Sequence, residues 1–208
     1  MLHKPAETDR AIHPLLINRW SPRAYTGDLL TTDQLLDLFE AARWAPSGGN
    51  GQPWSFIIFP HDDAENFARA VGCLAEGNVI WAKHAPLLVL TVAQTLRDNG
   101  APNRTALYDL GQAVAHLSVQ AGALGLSLRQ MGGFDVEKAR AEFGIPAGHD
   151  PVTFIALGAL GDHMLLPEPL RERETQPRIR KPLAQFVFRE RWGAPAPLVA
   201  DSAPVASE

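Results

Sequence analysis

The chain has 208 residues, of which 46% are hydrophobic and 20% charged, so it can bury a substantial core and belongs to neither the disordered nor the fibrous classes. Its net charge of −4 is shared evenly between the two halves, which argues against a nucleic-acid or anionic-membrane surface as the main feature. Cys73 is the only cysteine, which rules out an intrachain disulfide and leaves a buried structural thiol as the plain reading.

Met1 to Arg10 is polar and lacks an apolar signal region, and no segment has the ~18 apolar residues of a membrane span, so a cytoplasmic protein is expected. Thr31-Thr32-Asp33-Gln34 has the spacing of a capping box and opens a helix whose apolar face is Leu35, Leu38, Phe39 and Ala42. Trp54 to Phe59 reads as a buried strand closed by Pro60, and Asp62 to Glu76 as a helix. Pro86 to Val92 and Val152 to Leu157 are two further buried strands. Between them Leu107, Leu110, Val114, Leu117, Ala121 and Leu124 mark a long helix that stops at Gly125. Ala113, Ala115 and Ala123 give that helix a second, small-residue side, as in a central helix or one at a subunit interface. The irregular alternation of helices and strands predicts an α+β fold with a mixed central sheet. Residues 1–192 are expected to form one domain, and the Ala/Pro/Ser-rich residues 193–208 a flexible tail.

Several common chemistries lack their signature. There is no Gly-Lys pair for a phosphate loop, no Gly-x-Gly-x-x-Gly turn and no nucleophile elbow. The seven histidines contain no His-x-x-x-His pair, so no metal site is expected.

Three segments carry polar chemistry suited to an anionic, planar ligand. Arg19-Trp20-Ser21-Pro22-Arg23 offers two guanidinium groups and a hydroxyl within five residues. Ala45-Pro46-Ser47-Gly48-Gly49-Asn50-Gly51-Gln52-Pro53-Trp54 sets small residues, which allow close backbone approach, beside amides that can read a ligand's edge. Arg129-Gln130-Met131-Gly132-Gly133-Phe134-Asp135 follows the long helix and would leave free backbone N–H groups beside its glycines. The stretch from Arg171 to Arg191 holds seven basic and three acidic residues, either a solvated surface or an anion site.

Arg-x-Ser-x-Arg, Ala-Pro-Ser-x-x-Asn-x-Gln-Pro-Trp, the Gly-Gly-Phe-Asp loop and Arg178-Ile179-Arg180 before Lys181-Pro182-Leu183, in this order and spacing, resemble the FMN-dependent nitroreductase family. The resemblance spans about residue 15 to residue 190 and implies a homodimer, its interface formed by the long helix and an exchanged C-terminal segment. Two FMN molecules would lie in that interface, each held by both chains. Arg19, Arg178 and Arg180 would bind the phosphate, Ser21 the ribityl or ring-edge region, and Arg23 would lie near flavin N1 and O2, with Trp20 in the same segment. Pro46, Ser47, Gly48, Asn50 and Gln52 would come from the second chain or the opposite wall. Gln130, Met131, Gly132 and Gly133 would line the pyrimidine edge and N5, and Asn78 matches a family asparagine. Some members carry lysine where Arg23 and Arg178 stand, an acidic residue where Gly132 stands, and proline where Gln130 stands.

The same resemblance implies an oxidoreductase in which FMN takes hydride from NAD(P)H and passes electrons to a nitroaromatic, a quinone or a similar electrophile in a ping-pong cycle. Arg23 would act there as an electrostatic stabiliser of reduced flavin. Two alternatives are a flavin-binding or flavin-storing protein without turnover, and an enzyme like those that fragment reduced flavin to make the lower base of cobalamin.

Overall fold

The computed structural model describes residues 2–200. The short helix α1 (Pro14–Asn18) leads into α2 (Thr32–Arg43), which starts at the expected capping box: Thr31 Oγ1 accepts from Gln34 N, and Gln34 Oε1 accepts from Thr31 N at 2.9 Å. Strand β1 (Trp54–Pro60) follows, then α3 (Ala64–Val71), α4 (Glu76–Ala82) and β2 (Leu87–Gln94). The helix expected over 62–76 is broken, because the backbone after Val71 turns away and Leu74 bridges to Phe134. The long helix α5 (Ala106–Ala123) ends beside Gly125, whose φ of 71° suits glycine. Next come β3 (Leu126–Met131), α6 (Val136–Glu142), β4 (His149–Ala159), α7 (Glu168–Thr175) and α8 (Pro197–Ala200).

The fold is α+β, with one four-stranded sheet in the order β1-β2-β4-β3. Each neighbouring pair is antiparallel, which corrects the expected mixed sheet. The reason lies in the crossover through α5. β2 and β3 run in the same direction, but β4 inserts between them and pairs antiparallel with both. Arg129, Gln130 and Met131, to which the sequence reading assigned no element, lie on β3.

Helices cover both faces of the sheet. Leu88, Leu90, Val92, Phe154 and Ala156 join the core under α3, α4 and α6, whereas Leu87, Val89, Ala93, Ile155 and Leu157 join the core under α2 and α5. This two-sided burial explains the unbroken apolar run of β2. Of the alanines expected on one side of α5, Ala113 is buried against the sheet, while Ala115 and Ala123 are exposed with Gly111, Tyr108 and Gly122. Cys73 is buried, and burial pushes its thiol pKa up. From residue 193 the chain forms the helical turn α8, with Ala196 and Val199 buried; positions 201–208 of the expected tail lie outside the described residues. Among the described residues no helix is long and apolar enough to cross a membrane.

Candidate functional site

The Arg19–Arg23 motif is fixed to the sheet by its neighbour Tyr25. That side chain is buried, and its hydroxyl donates to the carbonyls of Pro22 and Ala156 at 3.2 and 3.0 Å. Burial drives the phenol pKa far upward, so the group acts as a neutral donor. Gly161 lets the backbones meet: a Cβ there would sit 2.5 Å from the carbonyl carbon and oxygen of Tyr25.

Held in this way, the motif lines a cleft of about 370 Å³ with Lys4, Arg129 and the segment from Arg173 to Arg180. Seven cationic side chains, Lys4, Arg19, Arg23, Arg129, Arg173, Arg178 and Arg180, face one carboxylate, Glu174. The structure thus brings Arg19, Trp20, Ser21, Arg23, Arg178 and Arg180 into one place. Lys4 Nζ also lies over the Trp20 ring, 5.3 Å from its centroid.

The cations are not equivalent. Arg178 is a strut: it donates to the carbonyls of Lys4 and Ile17 at 2.9 Å and of Arg19 at 2.7 Å. Arg23 pairs with Glu174 at 2.6 Å, and its backbone N–H donates to the same carboxylate at 3.1 Å. Arg129 donates to the Ser21 carbonyl and stands over Trp81, 5.6 Å from the ring centroid. Among the described residues Arg19 hydrogen-bonds only to Ser21 Oγ, at 3.4 Å, and Arg180 only to the neighbouring Ile179 carbonyl. Burial first, and then Arg180 for Arg19 and both Arg19 and Arg180 for Arg178, push these guanidinium pKa values down. Arg129 is lowered by burial and by Arg23. Besides burial, these cations destabilise one another, and an anion placed among them would relieve that repulsion.

Beyond Arg23 and Tyr25 lies a cavity of about 450 Å³, with Trp81, Leu166, His61 and His84 in its walls. Burial, then Lys83 and His61, push the His84 pKa down. An uncharged imidazole beside aromatic and aliphatic walls suits a neutral ring better than an anion.

The second motif lies elsewhere. Ser47–Gln52 packs at the start of α5, where Gly48 N donates to Asp109 Oδ2 at 3.2 Å and Thr105 Oγ1 donates to the same oxygen at 3.1 Å. Ser47 Oγ accepts from Gln52 N at 3.0 Å, and Gln52 Nε2 donates back to Asn50. Asn50 and Gln52 have φ of 55° and 46°, left-handed values uncommon for such residues, in an exposed polar loop with Pro46. A neighbouring groove that shares Lys4, Arg19 and Trp20 with the cationic cleft reaches the other end of α5, at Ser118, Gly122 and Gly125. About thirteen residues of helix separate the ends, roughly 20 Å at 1.5 Å per residue. One chain therefore does not bring these two walls together.

Gln130 to Gly133 form the end of the edge strand β3 and its exit. Met131 is buried in the core, so its side chain faces away from solvent. Asn78 Nδ2 donates to the Gly133 carbonyl at 2.9 Å, and a Cβ on Gly133 would come within 3.1 Å of that nitrogen. Asn78 thus shapes the glycine exit, and Gly132 beside it is open. Trp81 and Phe67 are core residues, whereas Tyr108 is exposed on α5. Sequence reasoning missed Lys4, Arg129, Glu174 and Asp109; the motif position of Arg129, one residue before Gln130, was the signal available for it.

A sequence model described as the Nitroreductase family matches residues 16–159. A solved structure of an oxidoreductase containing FMN superposes with a TM-score of 0.86 at 35% identity, over 93% of this chain and all of that one. A nitroreductase family protein from Clostridium difficile 630 gives a TM-score of 0.64 at 25% identity, over 83% and 94%. A 15.4 kDa protein of Mycolicibacterium smegmatis without an assigned function is 42% identical over 134 residues, 63% of this chain and 87% of its own length. A Ralstonia nicotianae protein named "Putative NADH dehydrogenase/NAD(P)H nitroreductase" is 26% identical over 76% of this chain and 88% of its own.

Proposed function

The chain belongs to the nitroreductase family, an oxidoreductase family, and on that premise we propose that it binds FMN in the cationic cleft and uses it to pass electrons from NAD(P)H to a nitroaromatic, a quinone or a similar electrophile. The carrying observation is the excess of cations over the single carboxylate in a cleft built from the Arg19–Arg23 motif and the Arg173–Arg180 segment. That donor set fits a dianionic phosphate.

Arg19 and Arg180, whose guanidinium groups each make a single hydrogen bond to a residue close by in the chain, would hold the phosphate, with Arg178 fixing the Arg19 backbone beneath it. Ser21 and Trp20 would face the ribityl chain, and Arg129 and Arg23 would place positive charge toward the ring. When bound, FMN supplies hydride acceptance at N5 and its return to an oxidant. The outer backbone edge of β3, from Gln130 to Gly133, would present hydrogen-bond donors to the ring, and Met131 would serve through its backbone alone. Ser47, Gly48, Asn50 and Gln52 would close the site from a second copy, which makes the working unit a homodimer. The exposed stripe of Tyr108, Gly111, Ala115 and Gly122 on α5 supports that reading, and one donor and one acceptor using the same cleft in turn gives ping-pong kinetics.

An absorption spectrum of the purified protein, followed by anaerobic NADH and then NADPH, tests the proposal. Flavin bands near ~450 nm that bleach on nicotinamide addition are the expected result. A colourless protein that takes up no added FMN would overturn it.

A further inference from the structure

We propose that Glu174 is a charge counterweight in the cationic cleft, a positioning residue that limits how strongly the cleft favours negative charge on whatever it binds. The inference rests on the FMN reading for its redox consequence, and on the cleft alone for its electrostatic one. Glu174 is 1% exposed and is the one carboxylate lining the cleft among the described residues. Its two oxygens accept from the Arg23 guanidinium at 2.6 Å and from the Arg23 backbone N–H at 3.1 Å. Its own carbonyl accepts from Lys4 Nζ at 2.6 Å.

Two features separate this arrangement from an ordinary stabilising ion pair. A carboxylate in the last turn of α7 stands where the helix end favours a cation, so the local helix does not call for it. A buried pair also returns little net stability, since losing hydration offsets the attraction, and a neutral amide would satisfy the Arg23 N–H equally well. Glu174 does act on its surroundings: it offsets part of the Arg23 charge and counters the mutual repulsion felt by Lys4 and Arg129. Two-electron reduction adds negative charge to a flavin, and a fixed carboxylate in the cleft opposes that charge while the arginines favour it. Glu174 thereby holds the potential of bound FMN below the value the cations alone would set.

The test is the reduction potential of bound FMN in the wild type, Glu174→Gln, Arg23→Gln and the double variant. The expected results are a positive shift for Glu174→Gln, a negative shift for Arg23→Gln, and a return toward the wild-type value in the double variant, where the charge balance is restored. A purely structural pair would lower the Tm of each single variant without moving the potentials in opposite directions. An unchanged or more negative potential in Glu174→Gln overturns the proposal. If Glu174→Gln retains no FMN, or the wild type itself takes none up, titration with inorganic phosphate decides. Several-fold tighter phosphate binding by Glu174→Gln at low salt, with the advantage shrinking as salt is added, supports the counterweight. Equal or weaker binding overturns it, whereas failure of the wild type to bind FMN counts against the proposed function alone.

Discussion

Arg178 and Arg180 stand two residues apart in one basic segment, yet they do different work. Arg178 spends its guanidinium on three backbone carbonyls, and Arg180 reaches only its neighbour. Hydrogen bonds from a charged donor contribute about 1.5–3 kcal/mol each, and replacing one arginine removes all three from Arg178 but also frees their acceptors to water. Arg178→Ala is therefore expected to destabilise the flavin-free protein by about 2 kcal/mol in urea denaturation. Arg180→Ala, at an exposed position, is expected to stay within about 0.5 kcal/mol of wild type and to weaken FMN binding roughly 10–100-fold. Equal stabilities for the two variants would remove the strut assignment. The sequence supplied both arginines and their charge; it carried no information on which one the N-terminal segment would consume, because Lys4 and Arg178 are 174 residues apart.

At the scale of elements, the site depends on how closely the Arg19–Arg23 motif approaches the sheet. Tyr25 bridges to Leu160, Gly161 N donates to the Ala24 carbonyl, and the Tyr25 backbone fills the space where a Cβ at position 161 would lie. Gly161→Ala forces these strands of chain apart at a cost of roughly 1–3 kcal/mol. It should lower Tm by about 2–4 °C for each kcal/mol and release FMN, because the arginines move with the backbone. A variant that keeps wild-type Tm and FMN affinity would show that the approach is not needed. The Thr31 capping box, by contrast, is a local device legible in four residues, and Thr31→Ala should cost about 1 kcal/mol with no effect on the cleft, read by thermal denaturation and FMN titration. The strand β3 escaped sequence reading because its Arg129 and Gln130 interrupt the apolar run, and an edge strand tolerates that where a central one does not.

For the whole molecule, the proposed site requires two motifs that one chain holds toward opposite ends of α5, so a second copy would have to supply one of them. A large cation placed on the exposed small-residue stripe tests this directly. Ala115→Arg is expected to give a monomer in sedimentation equilibrium and to lose FMN, while Leu110, Ala113 and Leu117 keep the core beneath the helix intact. A dimer that persists with bound FMN would place the interface elsewhere.

The amino-acid sequence by itself determined what local periodicity and residue chemistry can carry. That includes the capping box of α2, the length of α5 and its stop beside Gly125, the doubly buried β2, and a family pattern rich in arginine. The order of strands was outside its reach, because β4 enters between β2 and β3 only after α5 has crossed the sheet. So was the state of each charge in the cleft. Arg23 and Glu174 are 151 residues apart, and only packing in three dimensions decides that these two pair with each other while Arg19 and Arg180 make only one local hydrogen bond each among the described residues.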